Sequence, residues 1–325
     1  MRTSVPKVRL VVLICLLFSI NSQTNAQSIT SGDGKLEVGI GLGPSFFLGD
    51  LGGVQGEGKT FVKDVNFPFT KLMKGIYLNY SASEWLGIRV ASNMGVLEGD
   101  DNIIDVKGGA ERFRKQRNLK FKSNVFEAYA ALEFYPTVFF EQYDGLFHKL
   151  RPYGVIGFGM FHFNPQGEYI TPSGESQWVY LKPLRLEGQG MAEYPDRKEY
   201  SLWQKEIPMG IGVKYYVKDN MYIGFEILHR KTFTDYIDDV STQYVNPALF
   251  SNYMSADQAT MARQLHYREQ FLNPSLSRPF INTQRGDPTE NDAFFSGMLR
   301  MGFRLNGSNS PNGRAKRQLK CPVFY

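Results

Sequence analysis

The chain has 325 residues and a mass of 37.0 kDa, with 42% hydrophobic and 14% aromatic residues, a formal net charge of +5 and a mean hydropathy of −0.31. This hydropathy excludes a protein with many membrane-spanning helices, because each such helix needs about 20 nearly continuous apolar residues. The 25 Phe, 18 Tyr and 3 Trp exclude a disordered chain, which lacks the apolar side chains that form a core. Together with 32 Gly, they indicate a folded protein rich in strands.

Residues 1–26 have the three parts of an export signal: a basic start, an unbroken apolar run at 10–20 and a small-residue cleavage site that ends at Ala26. Its removal takes away one of the two cysteines and three of the 37 basic residues, which leaves 34 basic against 32 acidic residues, a net charge of +2. Cys321 alone cannot form an internal disulfide, and the charge gives no reason to expect a nucleic-acid partner. We expect an exported protein that is either soluble in the periplasm or folded into the outer membrane.

Eight segments of the chain alternate with a period of two between apolar side chains and small or polar ones. This period predicts strands whose two faces meet different surroundings. The fifth segment is apolar on both faces, so its facing is ambiguous. The segments are 36–43, 76–80, 86–91, 126–134, 152–163, 207–215, 221–227 and 295–304.

The connections between these segments are alternately short and long. Tight turns at 82–84 and 218–220 join the second segment to the third and the sixth to the seventh. This asymmetry is typical of an outer-membrane barrel with short periplasmic turns and long extracellular loops. We therefore predict an all-β fold over residues 27–305, an eight-stranded antiparallel up-and-down transmembrane β-barrel with four long extracellular loops. The long connections are 50–70, 97–120, 164–200 and 231–292, and the link 136–150 is the longest on the periplasmic side.

Periodicity alone does not reveal which face meets lipid, since a soluble barrel would turn its apolar face inward. The other face combines glycine with charges of both signs, and eight strands leave an interior just wide enough for side chains. We therefore predict that the apolar face meets lipid and that the charges form ion pairs in a filled lumen. The predicted lumen charges are Glu37, Arg89, Glu127, Glu133, Lys214, Glu226, Arg300 and Arg304.

Three features have a plainer explanation than a catalytic or cofactor site. The glycines of residues 39–43 lie two apart on one strand face, whereas a dinucleotide-binding loop needs a glycine turn that opens a helix. Asp235, Asp238 and Asp239 lack the spacing of a helix-loop-helix calcium site, which favours loop capping, with a loosely bound cation as the alternative. The four histidines show no metal-ligand spacing. We expect no metal, no cofactor and no enzymatic activity.

Two groups of basic residues are candidates for contacts outside the barrel. The first lies in the second long loop and, facing outward, would contact lipopolysaccharide phosphates; a solvated loop surface is the alternative. The second lies in residues 306–325, a stretch rich in Asn, Ser, Gly and Pro that we interpret as a periplasmic tail contacting a partner. The loop group is Arg112, Arg114, Lys115, Arg117, Lys120 and Lys122. The tail group is Arg314, Lys316, Arg317 and Lys320.

The segment 230–241, RKTFTDYIDDVS, resembles the hallmark of PorG-like outer-membrane barrels, which accompany the type IX secretion machinery. The stretches 43–51, 152–165 and 207–214 and the ending at 320–324 are also similar to that family. The resemblance implies an eight-stranded barrel attached to the periplasmic ring of the secretion complex, without catalytic residues. It also marks as structural or partner-contact residues Lys231, Thr232, Phe233, Thr234, Asp235, Tyr236, Asp238, Asp239 and Val240.

The leading hypothesis is a non-enzymatic outer-membrane component of a protein secretion and gliding machinery, which anchors the periplasmic ring to the outer membrane. Its expected partners are the ring proteins, outer-membrane lipid and lipopolysaccharide. The alternative hypothesis is a small binding or adhesion barrel that uses its long extracellular loops. A hydrolase built from those loops would need a pair of acids or a histidine that the sequence does not single out.

Overall fold

The computed structural model describes residues 36–51, 70–103, 111–139, 149–218, 220–268, 275 and 281–305. The predicted export signal and the basic tail, with Arg314, Lys316, Arg317 and Lys320, lie outside the described residues. The division of the chain into signal, barrel and tail therefore stays a prediction.

Eight antiparallel strands form a closed barrel in which each strand pairs with its neighbours in the chain order. Pairing of the first barrel strand with the last, and of β3 with β4, closes the sheet on itself. Each of the eight alternating segments lies in one of these strands, apart from Phe163 at the end of the fifth, so the predicted fold is confirmed. The barrel strands are β1 (Leu36–Leu48), β2 (Lys71–Ser81), β3 (Leu86–Asp100), β4 (Lys120–Phe134), β5 (Leu150–His162), β8 (Trp203–Lys218), β9 (Met221–Thr232) and β10 (Ala293–Leu305).

The apolar strand faces point away from the barrel axis. Ile40, Ile211 and Leu299 are 59%, 68% and 69% exposed, whereas Glu37 and Arg89 on the opposite face are buried. A protein in water does not leave such a continuous apolar belt uncovered, so this face is in contact with lipid. The predicted facing of the strands is confirmed, and the fifth segment follows the same rule, with Ile156 turned outward.

The long connections are more structured than the sequence predicted. The strands β3 and β4 extend to Asp100 and back to Lys120, so the second long loop is shorter than the predicted 97–120. The link 164–200 contains a hairpin of β6 (Pro165–Ile170) and β7 (Ser176–Tyr180), and β6 pairs with the outer end of β4. Both strands are short, with six and five residues, and β6 also contains Pro and Gly, so their alternation is too brief to identify them.

Helices occur in the connections only, within the part of the chain that the structure describes. They are α1 (Glu111–Arg117), α2 (Phe250–Tyr253) and α3 (Ala256–His266). Ser255 and Gln258 form a reciprocal capping box at the start of α3, which satisfies two of its free backbone N–H groups. With 11 residues, α3 is the longest helix in the described part of the chain, and a membrane-spanning helix is not found there.

The buried apolar side chains form three separate clusters along the barrel axis. One fills the lumen with tyrosines, including Tyr77, Tyr153 and Tyr222. A second lies at the extracellular mouth around Phe121 and Phe294. The third lies beyond the mouth, in the described residues of 165–202 and 233–292, which we call the cap. The molecule is therefore a filled barrel whose extracellular end carries a folded cap with its own apolar core.

Candidate functional site

A network of ion pairs crosses the middle of the lumen. Lys214 Nζ lies 2.9 Å from Glu37 Oε2 and 3.0 Å from Glu133 Oε2. Arg89 contacts Glu133 and lies 2.6 Å from Glu226, so it continues the alternation of charge across the lumen. Each of these groups is almost fully buried, and each has at least one partner of opposite sign. Pairing of this kind is what allows charge to remain inside a low-dielectric interior.

Every strand of the barrel contributes to this network. From β10, Arg300 lies 2.6 Å from Glu226 and Arg304 lies 3.1 Å from Glu37. The two strands without a charge in the network supply neutral donors, Asn79 of β2 to Glu133 at 2.8 Å and Tyr153 of β5 to Glu226 at 2.7 Å. Hydrogen bonds between side chains thus connect all eight strands across the barrel interior.

Tyrosine rings occupy the space that the charges leave. The hydroxyls of Tyr77 and Tyr222 are 2.8 Å apart, and the guanidinium carbon of Arg300 lies 3.6 Å from the centre of the Tyr77 ring. A Cβ added to Gly39 or Gly302 would overlap these two rings. Glycine on the inner face therefore makes room for tyrosine from a neighbouring strand, and the middle of the lumen is packed rather than open.

A second, smaller charge site lies nearer the extracellular mouth. Arg230 binds Glu127 through two hydrogen bonds, Nη2 to Oε1 at 2.6 Å and Nε to Oε2 at 3.0 Å. Glu206 is buried beside this pair. Neither Arg230 nor Glu206 is among the predicted lumen charges, although Arg230 continues the inward alternation of Glu226 and Leu228 along β9. This period-two alternation could have identified Arg230 as a lumen residue.

The residues that follow β9 join the barrel mouth to the cap. The Asp238 carboxylate accepts hydrogen bonds at 2.9 Å from the backbone N–H groups of Leu51 and Val240. Asp292, just before β10, accepts one at 2.8 Å from the N–H of Ile237. The segment is therefore fixed to the ends of β1 and β10, which are its neighbours in space but distant in sequence.

The nine residues marked by the family resemblance separate into two groups. Lys231 and Phe233 are exposed at the outer surface, whereas the side chains of Thr232, Thr234, Asp235, Asp238, Asp239 and Val240 are buried and that of Tyr236 is half-buried. The Tyr236 ring stacks on Tyr200 at a centroid distance of 4.8 Å, and the Tyr200 hydroxyl donates to Asp239 at 2.7 Å. Most of this motif therefore holds the mouth and the cap together.

Several carboxyl groups of this junction have raised pKa values. Burial raises the pKa of Asp235 to about 8, that of Asp239 to about 7 and that of Asp50 to about 6. Burial, with repulsion from neighbouring carboxylates, raises the pKa of Asp238 and of Asp292 well above the ordinary value. The described residues contain no group of three or more His, Cys, Asp or Glu arranged to hold a metal ion. The junction can therefore take up protons near neutral pH.

Two buried arginines, Arg285 and Arg117, also connect the cap to the mouth of the barrel. Arg285 lies 2.8 Å from Glu187 and donates to the backbone oxygen of Asp239 at 2.8 Å. Arg117 forms an ion pair with Asp101 at 2.8 Å and donates to the backbone oxygen of Arg285 at 2.6 Å. Arg117 is buried, so its predicted outward contact with lipopolysaccharide is wrong. The reason is that the buried Asp101 offers it a partner of opposite charge inside the molecule.

The other members of the basic loop group lie at the surface of the molecule. Arg112, Arg114 and Lys115 belong to α1, just before Arg117. Lys120 and Lys122 belong to β4, on the face that points away from the barrel axis. The group is therefore divided between the α1 loop and the outer wall of the barrel.

A closed barrel with an outward apolar face and a packed polar lumen defines a transmembrane barrel of the outer-membrane type, and the protein is located in the outer membrane. No family model and no curated protein sequence matches the chain. Among solved structures, it is similar to Ail, the attachment invasion locus protein of Yersinia pestis, with 9% identity over 84% of this chain and 99% of that chain and a TM-score of 0.35. It is also similar to OprG from Pseudomonas aeruginosa (9% identity, 86% and 100% coverage, TM-score 0.37) and to a major outer membrane protein from Thermus thermophilus (10% identity, 83% and 99% coverage, TM-score 0.37).

Proposed function

We propose that this chain is a non-enzymatic component of the type IX secretion and gliding machinery, and that it anchors the periplasmic ring complex to the outer membrane. The observation that carries this proposal is the packed lumen, in which the ion pairs of Lys214, Arg89, Arg300 and Arg304 and the neutral donors Asn79 and Tyr153 together connect all eight strands. A barrel of this kind is a rigid membrane anchor rather than a passage for solutes. The resemblance of residues 230–241 to PorG-like barrels supports the choice of machinery.

Aromatic contacts and an arginine stabilise the periplasmic end of the barrel. Trp85, Phe134 and Phe139 form an aromatic group with centroid distances of 5.8 to 6.2 Å at the membrane surface. Arg151 lies over the Tyr135 ring at 4.9 Å and donates to a backbone oxygen in the turn between β2 and β3. Two of the three periplasmic links, the turns 82–84 and 218–220, are short, and residues 306–325 carry the four basic residues of the tail group, so we assign the contact with the ring to this tail.

The test is co-purification of ring proteins with an affinity-tagged barrel after mild detergent extraction. We expect the ring to accompany the wild type and to be lost when Arg314, Lys316, Arg317 and Lys320 are all changed to Gln. This variant keeps residues 321–325 unchanged, including the final Phe324 and Tyr325. Recovery of the barrel without any ring protein would contradict the proposed role and leave only the fold.

The matched control for the tail variant also removes four positive charges, all of them far from the periplasmic end. Changing Lys120, Lys122, Lys198 and Lys205 to Gln should leave the recovery of the ring unchanged. Loss of the ring in this control as well would show that recovery depends on general charge and not on the tail.

A second candidate function is binding or adhesion at the cell surface, and the folded cap is the observation that favours it. An apolar core that includes Phe250, Ala259 and Leu265 holds the cap in one shape, which is the usual basis of a specific binding surface. Reversal of charge at exposed Asp257 should reduce attachment of cells without affecting secretion if this function is correct. A secretion defect with normal attachment would favour the anchor.

A further inference from the structure

The outward face of β4 changes from apolar to polar and basic side chains at the extracellular edge of the membrane. From Phe134 to Phe126, nine residues along the strand, every outward side chain is apolar. A tilted strand crosses the hydrocarbon core in about 9–11 residues, so Phe126 lies at its outer boundary. The next outward residues on β4 are Asn124, Lys122 and Lys120. Lys122 and Lys120 therefore lie at the level of the lipid headgroups.

The hairpin of β6 and β7 brings an indole ring to these two lysines. Trp178 of β7 lies with its ring centre 4.1 Å from Lys122 Nζ and 5.7 Å from Lys120 Nζ. Because β6 pairs with β4 at Lys122, the hairpin extends the barrel sheet sideways at the headgroup level. Tyr180, across from Gln166 on the same face, is 52% exposed. The result is a mixed basic and aromatic surface that continues the lipid-facing wall.

The acidic residues near these lysines are engaged by other cations. Glu98, opposite Lys122 on β3, binds Lys71 at 2.7 Å. Glu168 of β6 binds Arg268 at 2.6 Å. Asp100 approaches Lys120 at the long distance of 3.9 Å. Among the described residues, Lys122 therefore has the Trp178 ring as its contact and no carboxylate within ion-pair distance.

A second cation lies across two strands at the same edge of the membrane. Phe126 of β4, His162 of β5 and Trp203 of β8 form a row of rings, with centroid distances of 6.5 Å between Phe126 and Trp203 and 5.2 Å between His162 and Trp203. Lys205 is exposed on the outward face of β8, opposite Met160 and one outward position nearer the membrane than Trp203, and its long side chain can carry the ammonium group back to the headgroup level. No ion pair is found for Lys205 within the described residues. Basic groups thus lie on both sides of a half-exposed aromatic row.

We propose that this surface binds a phosphorylated glycolipid of the outer leaflet. We call it the rim patch and define it as Lys120, Lys122, Trp178, Trp203 and Lys205. Lysine ammonium groups bind phosphate oxygens through charge-assisted hydrogen bonds, and Trp and Tyr favour the boundary between acyl chains and headgroups. The two cationic positions on either side of the ring row fit a headgroup that carries more than one phosphate, with its acyl chains against Phe126 and the apolar outward residues of β4 that follow it toward the periplasm.

The test measures binding of purified diphosphoryl lipid A to the detergent-solubilised full-length protein by native mass spectrometry. Changing Lys120, Lys122 and Lys205 to Gln should weaken this binding about tenfold, since the phosphates lose their charge-assisted partners. Lipid A without phosphates should bind wild type and variant alike. Phosphatidylglycerol should bind the wild type more weakly than lipid A, because a single phosphodiester occupies one cationic position only.

The matched control changes three other exposed lysines, Lys149, Lys198 and Lys218, which lie away from the rim patch. This variant has the same net charge as the rim variant and should bind lipid A as the wild type does. Heat-modifiable mobility of each variant on electrophoresis verifies that the barrel is folded. The proposal is overturned by equal binding of lipid A to the wild type and the rim variant, by unchanged binding after dephosphorylation, or by equal loss in the control.

Discussion

Arg230 and Glu127 form a buried ion pair with two parallel hydrogen bonds, of 2.6 and 3.0 Å, that joins β9 to β4 across the extracellular half of the lumen. The strands that carry the two residues are separated by β5 and β8 in the sheet, so the pair is a contact across the barrel rather than along its wall. Together with the larger network around Lys214, it makes the interior a structural element of the barrel.

Replacing Arg230 with Gln should strongly destabilise the protein. The change leaves the Glu127 carboxylate without its cation and with Glu206 buried nearby, and breaking a buried pair by removing one partner costs about 3–5 kcal/mol. The free energy of unfolding, measured by urea titration in lipid vesicles, should fall by about that amount. The double variant Glu127→Gln, Arg230→Gln should recover part of the loss because it removes both charges. Equal stability of the single variant and the wild type would contradict a structural role of the pair.

Replacing Gly39 with Ala should destabilise the barrel although the change adds a single methyl group. The added Cβ would overlap the Tyr77 ring, and overpacking of this kind typically costs about 1–3 kcal/mol. Gly154 on β5 offers the matched control, since no atom lies within 4 Å of a Cβ added there. Gly154→Ala should leave the free energy of unfolding unchanged within error. Equal effects of the two substitutions would show that strand propensity, and not the tyrosine, decides the cost.

The barrel was predictable because each of its strands has one wall in lipid and the other in a polar interior. That difference produces alternation over many residues, as in β4, where Phe126 and Leu132 face outward and Glu127 and Glu133 face inward. The eight predicted lumen charges all lie on inward positions for the same reason. The alternation continues past the predicted end of the seventh segment to Arg230. The same period therefore predicts that Arg230 points into the lumen near the mouth.

The cap and the junction could not be predicted in this way. The contact between Ile237 and Asp292 joins residues far apart in sequence, and nothing in their local pattern indicates that they meet. The same holds for Arg285, whose partners Glu187 and Asp239 come from two different connections. Such contacts depend on how the connections fold over the mouth, which periodicity does not encode.

The stability of the junction should decrease as pH rises through neutrality. The pKa of Asp235 is raised from an ordinary value of 3.8 to about 8, so the folded protein holds this proton more tightly than the unfolded chain does. Its contribution is therefore complete below about pH 4, declines as pH rises further and is lost above about pH 8. Asp239, with a pKa raised to about 7, acts in the same direction. Hydrogen exchange of the amides of residues 234–241 between pH 5 and pH 9 should become faster than the chemical effect of pH alone predicts.

Asp235→Asn removes the titrating group and should flatten this pH dependence. The variant should be more stable than the wild type above pH 8, where the wild type carries a buried charge. Asp257→Asn, on the exposed side of α3, is the control and should follow the wild-type profile. A wild-type junction that becomes more stable from pH 5 to pH 9 would contradict the assignment of the sign.

Replacing Phe250 with Ala should unfold the cap and leave the barrel intact. Phe250 is fully buried in the apolar cluster of the cap, which is separate from the clusters of the lumen and the mouth, and a buried Phe→Ala change costs about 3–5 kcal/mol. Limited proteolysis of intact cells should therefore cut the variant within 181–202 and 244–268, whereas the wild type should resist. Ile211→Ala, on the lipid-facing wall, should leave the cap resistant because it removes no contact there. Heat-modifiable mobility should be normal in both variants; its loss in Phe250→Ala would show that the barrel and the cap fold as one cooperative unit.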